Sequence, residues 1–155
     1  MAVLGVSIGM KTSDAKRAAA FYVGLLGGEQ TNWRDQPDRR VWVRLGGIIF
    51  EIAEVSPWVP LDEAARRQLP VLALQVEPDE LDAITGRLAA TGVPHHGPVL
   101  KLAGTSVGVY FADPDGNGLS LSCASGYPVE GLVRRDPSWE PAPYEWGGLT
   151  TGLVR

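Results

Sequence analysis

Residues 110–121 read Tyr-Phe-Ala-Asp-Pro-Asp-Gly-Asn-Gly-Leu-Ser-Leu, and this stretch fixes how the rest of the chain is read. Pro114 holds φ near the value a turn needs, Asp113 and Asn117 carry short side chains that bond nearby backbone, and Gly116 accepts positive φ. The flanks alternate: Val107, Val109 and Phe111 run before the turn, and Leu119, Leu121 and Cys123 after it. Such alternation predicts two strands, 106–112 and 118–123, paired across the turn with one face buried. Working back, 95–102 is a further strand. The stretch 79–90 is an amphipathic helix stopped at Gly92, and 71–76 is a strand that precedes it.

The first third of the chain repeats this order. Residues 3–10 alternate Val6, Ile8 and Met10 against Gly5, Ser7 and Gly9, as a strand does. Thr12-Ser13-Asp14 offers side-chain oxygens to cap a helix over 15–26, which Gly27-Gly28 ends. A polar segment, 30–34, comes next. Two strands, 41–45 and 48–54, are then joined by Gly46-Gly47 as a hairpin. Each half therefore reads β-α-β-β-β, at a spacing of about 65 residues, which is too long for a solenoid unit. The expected organisation is one domain of α+β class with module one at 3–54, an arm at 55–68, module two at 69–124 and a tail at 125–155.

Composition narrows the function classes. At 155 residues and 45% hydrophobic content the chain can bury one core of its own, and no apolar run is longer than a strand. A soluble cytoplasmic protein without membrane contact is the expectation. The net charge is -4, and the basic residues cluster only as Arg39-Arg40, Arg66-Arg67 and Arg134-Arg135. No basic stripe is present for nucleic acid, and a neutral or cationic small ligand suits the chain better. The lone Cys123 lies in an apolar alternation and reads as a small buried hydrophobe.

Two motifs together carry a family resemblance. Ala20-Phe21-Tyr22 leading to Leu26-Gly27, and Phe111-Ala112-Asp113-Pro114-Asp115-Gly116-Asn117, resemble the signatures of vicinal-oxygen-chelate proteins, the group of glyoxalase I, bleomycin-binding proteins and extradiol dioxygenases. The resemblance runs from Val3 to Cys123. It implies two tandem modules whose curved sheets form a cup, with helices outside and a small molecule inside. It also implies four ligand positions in metal-dependent members, and here these read Ser7, Glu51, Val71 and Ser120. Only Glu51 is a usual ligand. A divalent metal generally requires three or more suitable donors, so no metal and no other cofactor is expected.

The remaining candidates are polar or aromatic groups on strands. Glu51 faces the cup if Phe50 and Ile52 face the helix; the competing reading makes it the ion-pair partner of Arg44 on the neighbouring strand. Trp42, between Val41 and Val43, is either a stacking plane for a flat ligand or core. Tyr110 and Gln75 add polar handles, and Ser7, Arg44 and Ser120 complete the expected lining. His95 and His96 point to opposite faces and so do not form a ligand pair; a lone surface histidine is the simpler reading. The tail gathers Tyr127, Trp139, Tyr144 and Trp146. These aromatics should pack on their own domain or on a second copy, and a homodimer using the tail is expected.

Three functions are compatible with these residues. The first is metal-independent binding of an aromatic natural product or drug, as in sequestering resistance proteins. The second is metal-free acid–base catalysis such as isomerisation, cyclisation or elimination, with Glu51 as base and Tyr110 or a histidine as acid. The third is a metal-dependent lyase or dioxygenase, which two histidines in the whole chain disfavour.

Overall fold

Helix starts and turns are where local chemistry acts first. Asp14 sits in extended backbone and its carboxylate accepts from the Arg17 N–H, capping α1 (Ala15–Ala20). Glu54 supports the same end, accepting from the Ala15 N–H at 3.0 Å. The helix does not run on as three α turns. It widens into one π-helical turn (Phe21–Leu25), after which the Gly28 N–H donates to the Tyr22 carbonyl. Phe21, Tyr22 and Leu25 are all buried there, so the wider turn keeps three large side chains on the inward side.

The structure is a computed structural model, and the residues it describes are 2–69 and 71–148. It divides into two compact units, one ending at Pro60 and one spanning Leu61–Trp146. In the first unit the strands are β1 (Val6–Thr12), β2 (Glu29–Arg34), β3 (Arg40–Leu45) and β4 (Ile48–Glu54). They form one mixed sheet in the order β1-β4-β3-β2, with β1 parallel to β4 and the other pairs antiparallel. The Gly46-Gly47 hairpin sets Val41 opposite Ile52 and Val43 opposite Phe50. Those four side chains are fully buried on the helix side, where Tyr22 stacks on Phe50 with ring centroids 5.4 Å apart.

The second unit repeats the plan. Its strands are β5 (Leu72–Gln75), β6 (His95–Leu100), β7 (Val107–Ala112) and β8 (Gly118–Cys123), in the order β5-β8-β7-β6. Helix α2 (Glu63–Arg67) precedes them, and α3 (Pro78–Ala90) lies between β5 and β6. Leu81, Ile84 and Leu88 of α3 are buried, as is the apolar layer Val109, Phe111, Leu119 and Leu121. The turn closes as its residues require: Asp113 is buried, and its carboxylate accepts from the Asp115 and Asn117 N–H groups and from the Asn117 amide. Gly116 holds φ +89°, where a side chain would be strained. Cys123 is buried at the end of β8, as a small hydrophobe would be.

The boundary at Pro60 places α2, and the tail as far as Trp146, in the second unit. Tyr127 donates to Asp82 of α3, Glu140 pairs with Arg67 of α2 at 2.7 Å, and Tyr144 donates to the Ala112 carbonyl at 2.7 Å. Trp146 is buried. Tyr127 and Tyr144 are thus engaged within their own unit, the first of the two packings expected of the tail. Among the described residues no helix is long and apolar enough to cross a membrane.

Candidate functional site

A mixed sheet with helices on one side leaves its other face to be explained, and each unit has one. In the first unit the alternation that buries Val41 and Val43 turns Arg40, Trp42 and Arg44 to the helix-free face. Trp42 stands opposite Glu51, with Ile49 and Ala53 beside it on β4 and Ser7, Gly9 and Lys11 alongside on β1. The indole is partly exposed, and the Arg34 guanidinium lies 6.0 Å from its centroid. Trp42 and Glu51 are thus brought together on this face. Ser7 is exposed on β1 in register with Ile49, one pleat from Glu51.

Glu51 does not pair with Arg44. Its Oε1 accepts from Arg40, whose Nε also bonds Asp38, so one guanidinium bridges two carboxylates. The hairpin register explains the choice: Arg40 and Arg44 flank Trp42 at equal offsets from Glu51, and Arg44 lies directly opposite Glu29 on β2, with which it pairs at 3.7 Å. Hydrogen bonds to Asp38 and Glu51 push the Arg40 guanidinium further above its already high range, while the hydrogen bond from Arg40 is the chief cause that holds the Asp38 carboxyl below the usual range.

In the second unit the helix-free face carries Tyr110 opposite Ser120, with Gly108 opposite Ser122, and Ala73 and Gln75 on β5. Ser120 and Ser122 are buried, whereas Gln75 is exposed. The Tyr110 ring lies down along β7 over Gly108, since a Cβ at 108 would come within 3.1–3.2 Å of the phenol. His96 is opposite Tyr110 on β6, with ring centroids 6.4 Å apart. It is not a lone surface side chain. Trp139 of the tail stacks on it at 5.4 Å, and its Nε2 accepts from the Asp136 N–H. Arg135 lies over Tyr110 with its guanidinium carbon 4.0 Å from the centroid. His95, on the other side of the strand, contacts the Val93 carbonyl through Nδ1.

Arg40, His96, Arg135 and Trp139 therefore belong to these faces although the residue pattern did not select them. For Arg40 and His96 the alternation of β3 and β6 held the signal. For Arg135 and Trp139 no periodicity exists to read.

The four positions at which metal-dependent members hold a metal do not fit that role here. Glu51 is tied to Arg40, Ser7 offers a neutral hydroxyl, and Val71 has no donor and lies against Gly118. Ser120 adds only another hydroxyl. Among the described residues no three His, Cys, Asp or Glu side chains are grouped so as to hold an ion.

Neither a protein-family model nor a curated protein matches the sequence. Solved structures do match. A glyoxylase/bleomycin resistance protein/dioxygenase domain from Frankia sp. EAN1pec aligns with TM-score 0.66 and 23% identity, over 84% of this chain and 94% of that one. A glyoxalase family protein from Enterococcus faecalis gives TM-score 0.61 and 22% identity, over 78% and 96%. The fosfomycin resistance protein FosX from Listeria monocytogenes, solved with Mn(II) and sulfate, gives TM-score 0.58 and 20% identity, over 80% and 93%. Likeness of this extent across two tandem modules with mixed four-stranded sheets shows that the chain has the fold of the vicinal-oxygen-chelate superfamily.

Proposed function

We propose that the protein binds a flat aromatic small molecule, a natural product or a drug, without a metal ion, and that it acts by sequestration in the manner of resistance proteins of this fold. The observation that carries this reading is the state of Glu51. The one usual ligand among the four positions is held by Arg40 beside a partly exposed Trp42, which makes a stacking plane next to a polar anchor. An apolar plane with a few fixed polar groups is the ordinary make-up of a small-molecule site. On the face of the first unit Trp42, Glu51, Ser7 and Arg44 would contact ligand; the face of the second unit, taken by itself, offers Tyr110, Gln75 and Ser120.

Acid–base catalysis finds less support. Glu51 is bridged to a guanidinium, which occupies the carboxylate that would have to serve as the base. Metal chemistry of the kind the Mn(II)-containing relative suggests lacks a usual ligand at three of the four positions, two of them serines and one a valine.

Calorimetric titration with a panel of planar aromatic compounds, bleomycin included, tests the reading. Binding should be unchanged by EDTA, and Trp42→Ala should weaken it by about 1 kcal/mol while Trp58→Ala does not. Stoichiometric metal lost together with binding would overturn it.

A further inference from the structure

The tail of the second unit lays two flat groups on two rings. We propose that His96 and Tyr110 form a binding platform for an aromatic molecule bearing a planar cation, a guanidinium or amidinium, and that residues 133–139 occupy this platform as an internal stand-in that the ligand displaces. The proposal deepens the binding function above and rests on it.

The register puts both rings on one face, because His96 is paired with Tyr110 across β6 and β7. With no side chain at Gly108, the phenol can recline along the strand and turn a face outward. What the tail sets on these rings displays their preference. A planar cation sits 4.0 Å over the electron-rich phenol, well inside cation–π range, and an indole stacks at 25° on the imidazole. A ligand joining an aromatic ring to an amidinium could make both contacts at once. The chain's net charge of -4 favours such a cation.

The attachment of the segment suits displacement. Tyr127 on Asp82 anchors it upstream; Glu140 on Arg67 and Tyr144 on the Ala112 carbonyl anchor it downstream. Between the anchors it is held to β6 by two backbone bonds, Leu100 N–H to the Val133 carbonyl and Arg135 N–H to the Leu100 carbonyl. Three further bonds help, from Arg134 to the Lys101 and Gly104 carbonyls and from the Asp136 N–H to His96. The middle can lift while both ends stay in place.

The test uses the full chain with benzamidine, and benzamide as its neutral counterpart, followed by amide NMR and hydrogen exchange. Benzamidine should shift the His96 and Tyr110 signals and speed exchange of the Arg135 and Leu100 amides, whose bonds the lifted segment gives up. Replacing the stand-in, in Arg135→Ala/Trp139→Ala, should tighten benzamidine binding by about tenfold, since a competitor that fills the site most of the time is gone. Benzamide should bind more weakly than benzamidine. Unchanged exchange of the Arg135 amide in the unaltered chain at saturating benzamidine would overturn the proposal, whatever the fate of the variant. So would benzamide binding as tightly as benzamidine. Benzamidine signals confined to Trp42 and its neighbours would also overturn it while leaving the binding function intact.

Discussion

Glu51 is the residue on which the choice between binder and enzyme turns. Glu51→Gln keeps the shape of the side chain and its ability to accept a hydrogen bond, but removes the charge that Arg40 answers. In a binder, affinity for a cationic aromatic should fall while no product forms with either protein. In an enzyme that uses it as base, turnover should fall by about 10²–10⁴ with affinity little changed. The binder outcome is expected, and parallel calorimetry and product analysis check it. The residue also shows where sequence reading stops. That Glu51 faces away from Phe50 and Ile52 was legible from alternation alone. That it would choose Arg40 over Arg44 was not, because both lie one pleat from Trp42 and the decision rests on Glu29 of a separate strand.

At the scale of elements, glycines separate space from conformation. Gly86 lies within α3, and a Cβ there would meet nothing within 4 Å, so Gly86→Ala should stabilise the protein by about 0.5–1 kcal/mol. Gly97 lies in β6 at φ +133°, and its Cβ would sit 2.5 Å from the Gly108 carbonyl. Gly97→Ala should cost about 2 kcal/mol or more in urea denaturation. The tail's anchor on α3 carries a pH signature. Burial first, and then the bond to Asp82, push the Tyr127 phenol up to about 12 from its ordinary value near 10.0. The folded state thus favours the neutral phenol, so this contribution is fully present below pH 10 and is lost as pH rises towards 12. A difference titration in the ultraviolet should lose its component near pH 12 in Tyr127→Phe. Periodic elements were legible because apolar spacing reports burial; the segment 133–139 was not, since its contacts join residues about forty apart through an irregular backbone.

For the whole molecule, the repeated β-α-β-β-β order, the Ala20-Phe21-Tyr22 and Leu26-Gly27 signature of the first module and the DPDGN turn of the second together reached the fold, since each depends on local chemistry that the chain carries in full. The two compact units meet in sequence at Pro60, within a stretch where Val55, Val59 and Leu61 are exposed. Limited proteolysis should therefore cut first within 55–62, giving a larger fragment that contains α2, the second sheet and the tail. First cleavage within 125–146 would contradict the bonds that tie the tail down.

The position of the tail after β8 has a consequence for dissection of the chain. Everything that covers the Tyr110 and His96 rings follows the last strand, so the cover can be removed from one end without cutting into either sheet. A chain stopped after Ser125 would keep all the strands of both sheets while lacking the arginine and the tryptophan that lie on those two rings.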